Sequence, residues 1–142
     1  MFALFLILTG LCAIGVLFAA WKGGIAERAA AAVVAANILL GLCFRFVPDL
    51  EGTLRFVNDG LAAVLLLVIT IRYGALWMGG VMLFYAAQFS LHAYYFVTER
   101  PDSDYLHALI NNIDFSGVIW CLIIGTAVAW RRHVRQAKAA AA

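Results

Sequence analysis

The chain has 142 residues, of which 65% are hydrophobic and 13% charged, and its formal net charge is +2 at pH 7. Globular proteins are roughly 45–50% apolar and about 25% charged, so a soluble fold of this composition would leave much apolar surface in water. Disorder is excluded because it requires low hydrophobicity and high charge. The small net charge argues against a nucleic-acid partner, since binding to phosphates needs a basic face. The composition therefore predicts a polytopic membrane protein whose partner is the lipid bilayer.

Five stretches of the sequence are long and apolar enough to cross a bilayer as helices. A crossing needs about 20 predominantly apolar residues at a rise of 1.5 Å per residue. The predicted spans are residues 2–21, 28–46, 54–72, 75–97 and 106–130. We therefore expect an all-α bundle of five transmembrane helices. It forms one domain, residues 1–130, followed by a basic cytoplasmic tail, residues 131–142.

The third span is the weakest of the five, because Arg55, Asn58 and Asp59 interrupt its first half. In a four-span alternative, residues 49–60 lie on the membrane surface instead. Before the fifth span, Pro101 ends the preceding helix. A side-chain cap for the fifth helix is expected from one of three residues. These are Asp102, Ser103 and Asp104.

The distribution of positive charge predicts the orientation of the chain. With five spans, the loop 22–28, the hairpin 72–74 and the C-terminal tail share one side of the membrane. That side carries seven cationic residues: Lys22, Arg28, Arg72, Arg131, Arg132, Arg135 and Lys138. The opposite side carries three: Arg45, Arg55 and Arg100. Because cytoplasmic loops are enriched in Lys and Arg, we expect an N-out, C-in protein of the cell inner membrane.

Small residues form a continuous face on the fifth span. Gly117, Cys121, Gly125 and Ala129 recur every four residues. Lipid provides no hydrophobic drive for helices to associate, so small residues allow the close packing that replaces it. We expect this face to contact other helices, either within the chain, in a homo-oligomer or in a complex with another membrane protein.

Polar residues inside the spans also share helical faces, since residues three or four apart lie on the same side of a helix. The aligned sets are Asn37, Gly41 and Arg45; Asp59, Ala62, Ala63 and Leu66; Tyr85, Gln88, His92 and Tyr95; and His107, Asn111, Asp114 and Gly117. Intramembrane ionisable residues are costly and are functional candidates by default. The predicted binding or proton- and ion-coupled cluster comprises Arg45, Asn58, Asp59, Gln88, His92, Asn111 and Asp114.

In the N-out orientation this cluster occupies the outer half of the bundle. Asp114 is its deepest member, roughly 12 Å inside the membrane at 1.5 Å per residue. The inner half, below Gln88, is almost free of polar residues. The pattern predicts a polar basin that opens to the outside above an apolar floor.

Two interpretations of the cluster stay open. In the first, it is a structural clamp in which Arg45 pairs with Asp59 or Asp114, and His92 bonds Gln88 or a neighbouring amide. In the second, Asp114 and His92, with Asp59, bind a proton, a cation or a small polar ligand from the outside. Histidine titrates near physiological pH, so coupling to protons is chemically natural.

No catalytic signature accompanies these residues, and we predict no catalytic residue. The sequence contains no H-E-x-x-H, G-x-S-x-G or glycine-rich phosphate loop. A haem b between His92 and His107 is not expected, because His107 lies at the very start of the fifth span. No cofactor is predicted, and the spacing of the histidines assigns no metal.

The favoured function is therefore transport, permeation or a coupled accessory-subunit role, rather than enzymatic catalysis. Two alternatives remain. One is a non-catalytic structural or assembly protein of the membrane. The other is a holin-like, membrane-permeabilising protein of phage origin, which would also be small, N-out and C-in, with a basic C-terminal tail.

Overall fold

The structure, a computed structural model, describes residues 2–44, 46–47, 51–98, 100 and 104–141, with side chains from residue 7 onward except at residue 51. This part of the chain forms five α-helices joined by short connections. The helices are α1 (Phe2–Lys22), α2 (Ile25–Phe44), α3 (Glu51–Tyr73), α4 (Leu76–Val97) and α5 (Tyr105–Ala140). The predicted all-α fold is confirmed for the described residues.

The helices differ from the predicted spans mainly in α3 and α5. Helix α3 runs unbroken from Glu51 to Tyr73, so residues 51–60 continue into the apolar segment and do not form a separate helix. Helix α5 continues beyond Trp130 to Ala140, and residues 131–140 are all exposed. At 1.5 Å per residue, its 36 residues extend about 54 Å, well beyond a hydrocarbon core of about 30 Å. The predicted basic tail is thus, as far as it is described, a continuation of α5.

Consecutive helices pack side by side, and α5 closes the ring by packing against α1. A further, smaller contact joins α2 to α5. Consecutive helices alternate in direction, so the first and the fifth helix, α1 and α5, run parallel to each other. Gly15 allows this pair to approach closely, since a Cβ atom there would lie 2.9 Å from the Ile119 side chain.

The hairpin between α3 and α4 depends on one glycine. Gly74 has a φ of +60°, and its N–H donates to the Thr70 carbonyl at 2.9 Å. This left-handed conformation terminates a helix at little cost only when the residue has no Cβ atom. The chain therefore reverses direction within two residues, which brings α4 alongside α3.

Among the described residues, three helical segments are long and apolar enough to cross a membrane: Ile25–Phe44, Gly52–Tyr73 and Tyr105–Ala140. The segment Ile7–Lys22 of α1 is also apolar but shorter. Helix α4 contains no Asp, Glu, Lys or Arg, but Gln88 and His92 lower its mean hydropathy.

The outer surface of the bundle is apolar. Exposed side chains on it include Ile14, Leu17, Leu39, Val64, Leu65, Val68, Leu83, Ile113 and Ile124. Apolar surface of this extent is not tolerated in water. Together with the three long apolar segments, it indicates a membrane protein.

The small-residue face of α5 is covered largely by α4. A Cβ atom at Gly117 would overlap the Phe84 ring, and one at Gly125 would overlap the Trp77 ring. Cys121 fills the corresponding gap at Gly80 of α4, where a Cβ atom would lie 2.8 Å from its Sγ atom. The fourth predicted packing residue of this face, Ala129, is half-buried. The face expected to contact other helices is therefore occupied within the chain from residue 117 to residue 125.

Candidate functional site

A buried polar cluster lies where α2, α3 and α4 meet. The Asn37 side-chain N–H donates to Asp59 Oδ1 at 2.9 Å. The Asn58 side-chain N–H donates to the backbone carbonyl of Asn37 at 3.0 Å. All three residues are buried, and buried polar groups contribute to stability only when they are paired. These bonds therefore connect α2 to α3 at a defined register.

His92 of α4 joins this cluster through the second oxygen of Asp59. Its Nδ1 atom lies 2.6 Å from Asp59 Oδ2, and the two side chains are 12% and 8% exposed. The two atoms lie within ion-pair distance, although their geometry is not that of an aligned hydrogen bond. The Asp59 carboxylate is thus contacted from α2 on one oxygen and from α4 on the other.

A second set of contacts continues from α4 to α5. The Gln88 side-chain N–H donates to Asn111 Oδ1 at 3.3 Å. Toward the end of α4, the His92 and His107 rings pack with centroids 5.2 Å apart, and the Tyr95 ring lies 4.5 Å from that of His107. Polar and aromatic side chains therefore line the α4–α5 interface over at least two helical turns.

Asp104 lies at the end of this interface where α5 begins. It is the N-cap of α5 and accepts a hydrogen bond from the Leu106 N–H at 3.3 Å. The Tyr95 hydroxyl donates to its other carboxylate oxygen at 2.7 Å. The bond from Tyr95, and next the bond from Leu106, hold the pKa of Asp104 below its ordinary value of 3.8. Of the three predicted caps, Asp104 performs the role, whereas residues 102 and 103 lie outside the described residues.

Asp114 occupies a deeper position on the same face of α5. It is 6% exposed, and its Oδ2 atom has no hydrogen-bond partner within the described part of the chain. The contact of Asn111 with Gln88 lies one turn above Asp114, and the contact of Gly117 with Phe84 lies one turn below it. Asp114 therefore lies level with the turn of α4 that contains residues 85–88.

The structure brings most of the predicted cluster together, with a different partner for His92. Asn58, Asp59 and His92 belong to the first set of contacts, Gln88 and Asn111 form a pair, and Asp114 lies beside them. His92 pairs with Asp59 rather than with Gln88 or an amide. The predicted partner of the two aspartates, Arg45, lies outside the described residues.

Two residues of the cluster were not among the predicted site residues. Asn37 links α2 to Asp59. Tyr85 is fully buried, and its hydroxyl is close enough to interact electrostatically with Asp59. By its spacing in the sequence, each residue lies on the same helical face as a predicted site residue of its own predicted span. This spacing was the feature of the sequence by which they could have been predicted.

A buried acidic residue at the opposite end of the bundle corrects the prediction of an apolar floor. Glu27 was expected in a loop, but it lies in the first turn of α2 and is 7% exposed. Its carboxylate accepts one hydrogen bond from the Gly24 N–H at 3.0 Å and one from the Trp77 indole N–H at 3.2 Å. The bond to Gly24 is the return half of a capping box. Glu27 therefore links the start of α2 to α4.

An apolar groove of about 720 Å³ opens between α1, α2 and α5. Its lining includes Cys12, Ile38, Leu42, Asn111, Asn112 and Phe115. Asn111 belongs both to this groove and to the contact with Gln88. The groove thus extends from the bundle surface to the edge of the polar cluster.

The described residues contain no group of three or more His, Cys, Asp or Glu side chains arranged to hold a metal ion. The chemistry available at the cluster is therefore that of a carboxylate–imidazole pair, a second buried carboxyl group and several amides. Comparison of the chain with models of known protein families, with characterised proteins and with solved structures finds no match.

Proposed function

We propose that the protein is a five-span transport or permeation protein of the cell inner membrane. In this proposal the chain is N-out and C-in, and the polar cluster takes up a proton or a small cation from the outside. One observation carries the proposal: two carboxyl groups, Asp59 and Asp114, and one imidazole, His92, lie inside a bundle whose outer surface is apolar. Ionisable groups at such positions are costly and typically serve ion or proton pathways.

The orientation is supported by the helix ends. The α1–α2 turn, the α3–α4 turn and the end of α5 carry seven of the ten lysines and arginines of the sequence. The indole rings of Trp21, Trp77 and Trp130 belong to the same end, where Lys22 Nζ lies 4.0 Å from the centroid of the Trp21 ring. Cytoplasmic ends of spans are rich in cations, and tryptophan is enriched at membrane interfaces.

The number of spans is supported by the packing order. All five helices pack in one ring, so α4 lies between α3 and α5, both of which contain segments able to cross a membrane. The polar groups that lower the hydropathy of α4, Gln88 and His92, face the bundle interior and not the surrounding lipid.

Charge and access favour a cationic ligand. The ionisable residues among the described members of the cluster are two aspartates and one histidine. With both aspartates ionised, the net charge of these members is negative. The groove beside Asn111 offers an approach to the cluster from the bundle surface. A cation or a proton that binds here would compensate the buried negative charge, whereas an anion would add to it.

A structural role is the second candidate, and a specific observation favours it. The contacts of Asp59 with Asn37 and His92 join three helices. Such contacts would stabilise the order of the helices in the bundle independently of any transport function. The two roles differ in what Asp114 contributes, since its Oδ2 atom has no hydrogen-bond partner among the described residues.

Flux through purified protein tests the function. The full chain is reconstituted in liposomes that contain a pH-sensitive dye, and a membrane potential is imposed. We expect the wild type to carry proton flux, and Asp59→Asn and Asp114→Asn to reduce it at least tenfold. Ser90→Ala, on the exposed side of α4, serves as the matched control. To test cations other than the proton, flux is also measured at constant pH after K⁺ is replaced by Na⁺ or by an organic ammonium ion.

The absence of flux of any tested cation in the wild type would overturn the transport proposal. Flux that Asp59→Asn and Asp114→Asn leave unchanged would show that the cluster is structural. The topology is tested separately with a reporter enzyme fused after residue 142, which we expect to lie in the cytoplasm. Activity of that reporter outside the inner membrane would contradict the N-out, C-in orientation.

A further inference from the structure

Three buried oxygen atoms at the α4–α5 interface have no hydrogen-bond partner within the residues that the structure describes. They are Tyr85 Oη, Gln88 Oε1 and Asp114 Oδ2. Their residues are 0%, 4% and 6% exposed. Buried polar groups in proteins are nearly always paired, so unpaired ones call for an explanation.

The three atoms belong to one layer of the bundle. Gln88 contacts Asn111, and Phe84 contacts Gly117. Asp114 lies between Asn111 and Gly117 on α5, just as Tyr85 and Gln88 lie on the facing turn of α4. The antiparallel register of the two helices thus places Tyr85, Gln88 and Asp114 at the same level of the bundle.

The donors and acceptors of this layer do not balance when Asp114 is ionised. A carboxylate only accepts hydrogen bonds, and so does an amide oxygen, whereas a tyrosine hydroxyl supplies one donor. Neither acceptor receives the O–H group of Tyr85, because that hydroxyl is itself without a partner among the described residues. A proton on Asp114 converts its carboxyl group into a donor and removes an unpaired buried charge.

Two ionisable groups of the surrounding cluster contact each other. Asp59 of α3 is contacted on both oxygens, by Asn37 of α2 and by His92 of α4. The imidazole of His92 is therefore already in contact with another carboxylate. The other titratable groups near this part of the bundle are Tyr85 of α4, His107 of α5 and Cys12 of α1.

We propose that the ligand of the cluster is the proton and that Asp114 is the residue that carries it, within the layer formed with Tyr85 and Gln88. This inference rests on the proposed function and adds the identity of the ligand. Uptake is the addition of one proton to the Asp114 carboxylate, and release is the reverse. Asp59 keeps its contacts with Asn37 and His92 and does not carry this proton.

Infrared spectroscopy of the full-length protein in lipid nanodiscs tests this assignment. A protonated carboxyl group has a C=O stretching band that is separate from the carboxylate bands and shifts in D₂O. We expect this band in the wild type at neutral pH, its loss in Asp114→Asn, and its retention in Asp59→Asn. Glu27→Gln is the matched control for the other buried acidic residue, and it should also retain the band.

A second variant keeps the test decisive if Asp114→Asn fails to fold. Gln88→Leu removes a facing acceptor, so the band should persist and move to the frequency of a more weakly hydrogen-bonded carboxyl group. Absence of the band in the wild type would overturn the proposal, as would its loss in Asp59→Asn or Glu27→Gln. Loss of the band on replacing K⁺ by Na⁺ at constant pH would assign the site to a metal cation instead.

This readout does not depend on transport. A band that follows Asp114 in a protein without flux would overturn the proposed function and support the proton site. Flux without the band would overturn the proton site and support the proposed function.

Discussion

Asp59 Oδ2 on α3 lies 2.6 Å from His92 Nδ1 on α4, while the other oxygen of the same carboxylate accepts a hydrogen bond from Asn37 on α2. One side chain therefore contacts two neighbouring helices inside a bundle whose other interior contacts are mostly apolar. Directional contacts of this kind define how the three helices align along their axes.

The first prediction concerns this pair. Replacing Asp59 by Leu leaves His92 without its buried counter-charge, and breaking a buried pair in this way typically costs about 3–5 kcal/mol. We expect a loss of that order in the free energy of unfolding. The double variant Asp59→Leu, His92→Leu should lose less than the sum of the single variants, because neither charge is then left alone.

Unfolding of the purified protein in bicelles or nanodiscs measures the four members of this cycle. Ser90→Ala on the exposed side of α4 should stay close to the wild type. A coupling energy near zero between positions 59 and 92 would contradict the importance of the pair.

The second prediction concerns the close packing of α4 on α5. A methyl group at position 117 overlaps the Phe84 ring, and overpacking of this kind typically costs about 1–3 kcal/mol. We expect Gly117→Ala to destabilise the bundle by that amount. Gly79→Ala is the matched control, because no atom lies within 4 Å of the added Cβ and the helix loses a flexible residue.

The same unfolding measurement compares the two alanine variants. Equal stability of Gly117→Ala and Gly79→Ala would show that α4 does not cover this part of α5. In that case the small-residue face would be available for a second protein.

The third prediction concerns the link between the α1–α2 turn and α4. Glu27→Ala removes the acceptor of both the Gly24 N–H and the Trp77 indole N–H. At about 1 kcal/mol for each hydrogen bond, we expect a loss of about 2 kcal/mol in the free energy of unfolding. Trp77→Phe removes only the indole donor and keeps an aromatic ring against Gly125, so its loss should be smaller.

Near-equal losses for Glu27→Ala and Trp77→Phe would contradict the two-bond arrangement. Additive losses in the double variant Glu27→Ala, Trp77→Phe would show that the two side chains do not interact.

The fourth prediction concerns pH. The bonds from Tyr95 and Leu106 keep the pKa of Asp104 below 3.8 in the folded protein, so folding favours the ionised form. The resulting stabilisation is complete above the ordinary pKa of an unfolded aspartate and disappears as the pH falls through the lower, folded value. We therefore expect Asp104→Asn to lower the melting temperature at neutral pH, and the difference from the wild type to shrink below pH 3.8.

Tyr95→Phe tests the cause of this dependence, because it removes the contact that lowers the pKa of Asp104 most. It should reduce the pH dependence that Asp104 contributes while leaving the cap on Leu106 in place. A difference between wild type and Asp104→Asn that is constant from neutral to acidic pH would contradict the assignment.

The sequence alone was sufficient to predict the helices and their polar faces. Apolar stretches and helical periodicity are local properties, so the five helices lie close to the predicted segments, and the polar residues of α3, α4 and α5 point inward as their spacing indicates. Asp59, Gln88, His92 and Asp114 could be identified for the same reason. Local rules also led to Asp104 as one of three possible caps.

The tertiary structure alone decided which polar groups meet. The partner of Asp59 depends on which helices lie beside α3 and on how they are aligned along its axis. The contacts of Asp59 with Asn37 and His92 join residues that are far apart in the sequence. Burial of Glu27 likewise required the approach of Trp77, and the neighbour of Gly117 was undefined until Phe84 of α4 covered it. Periodicity determines the face on which a side chain lies, whereas its partner depends on how whole helices pack.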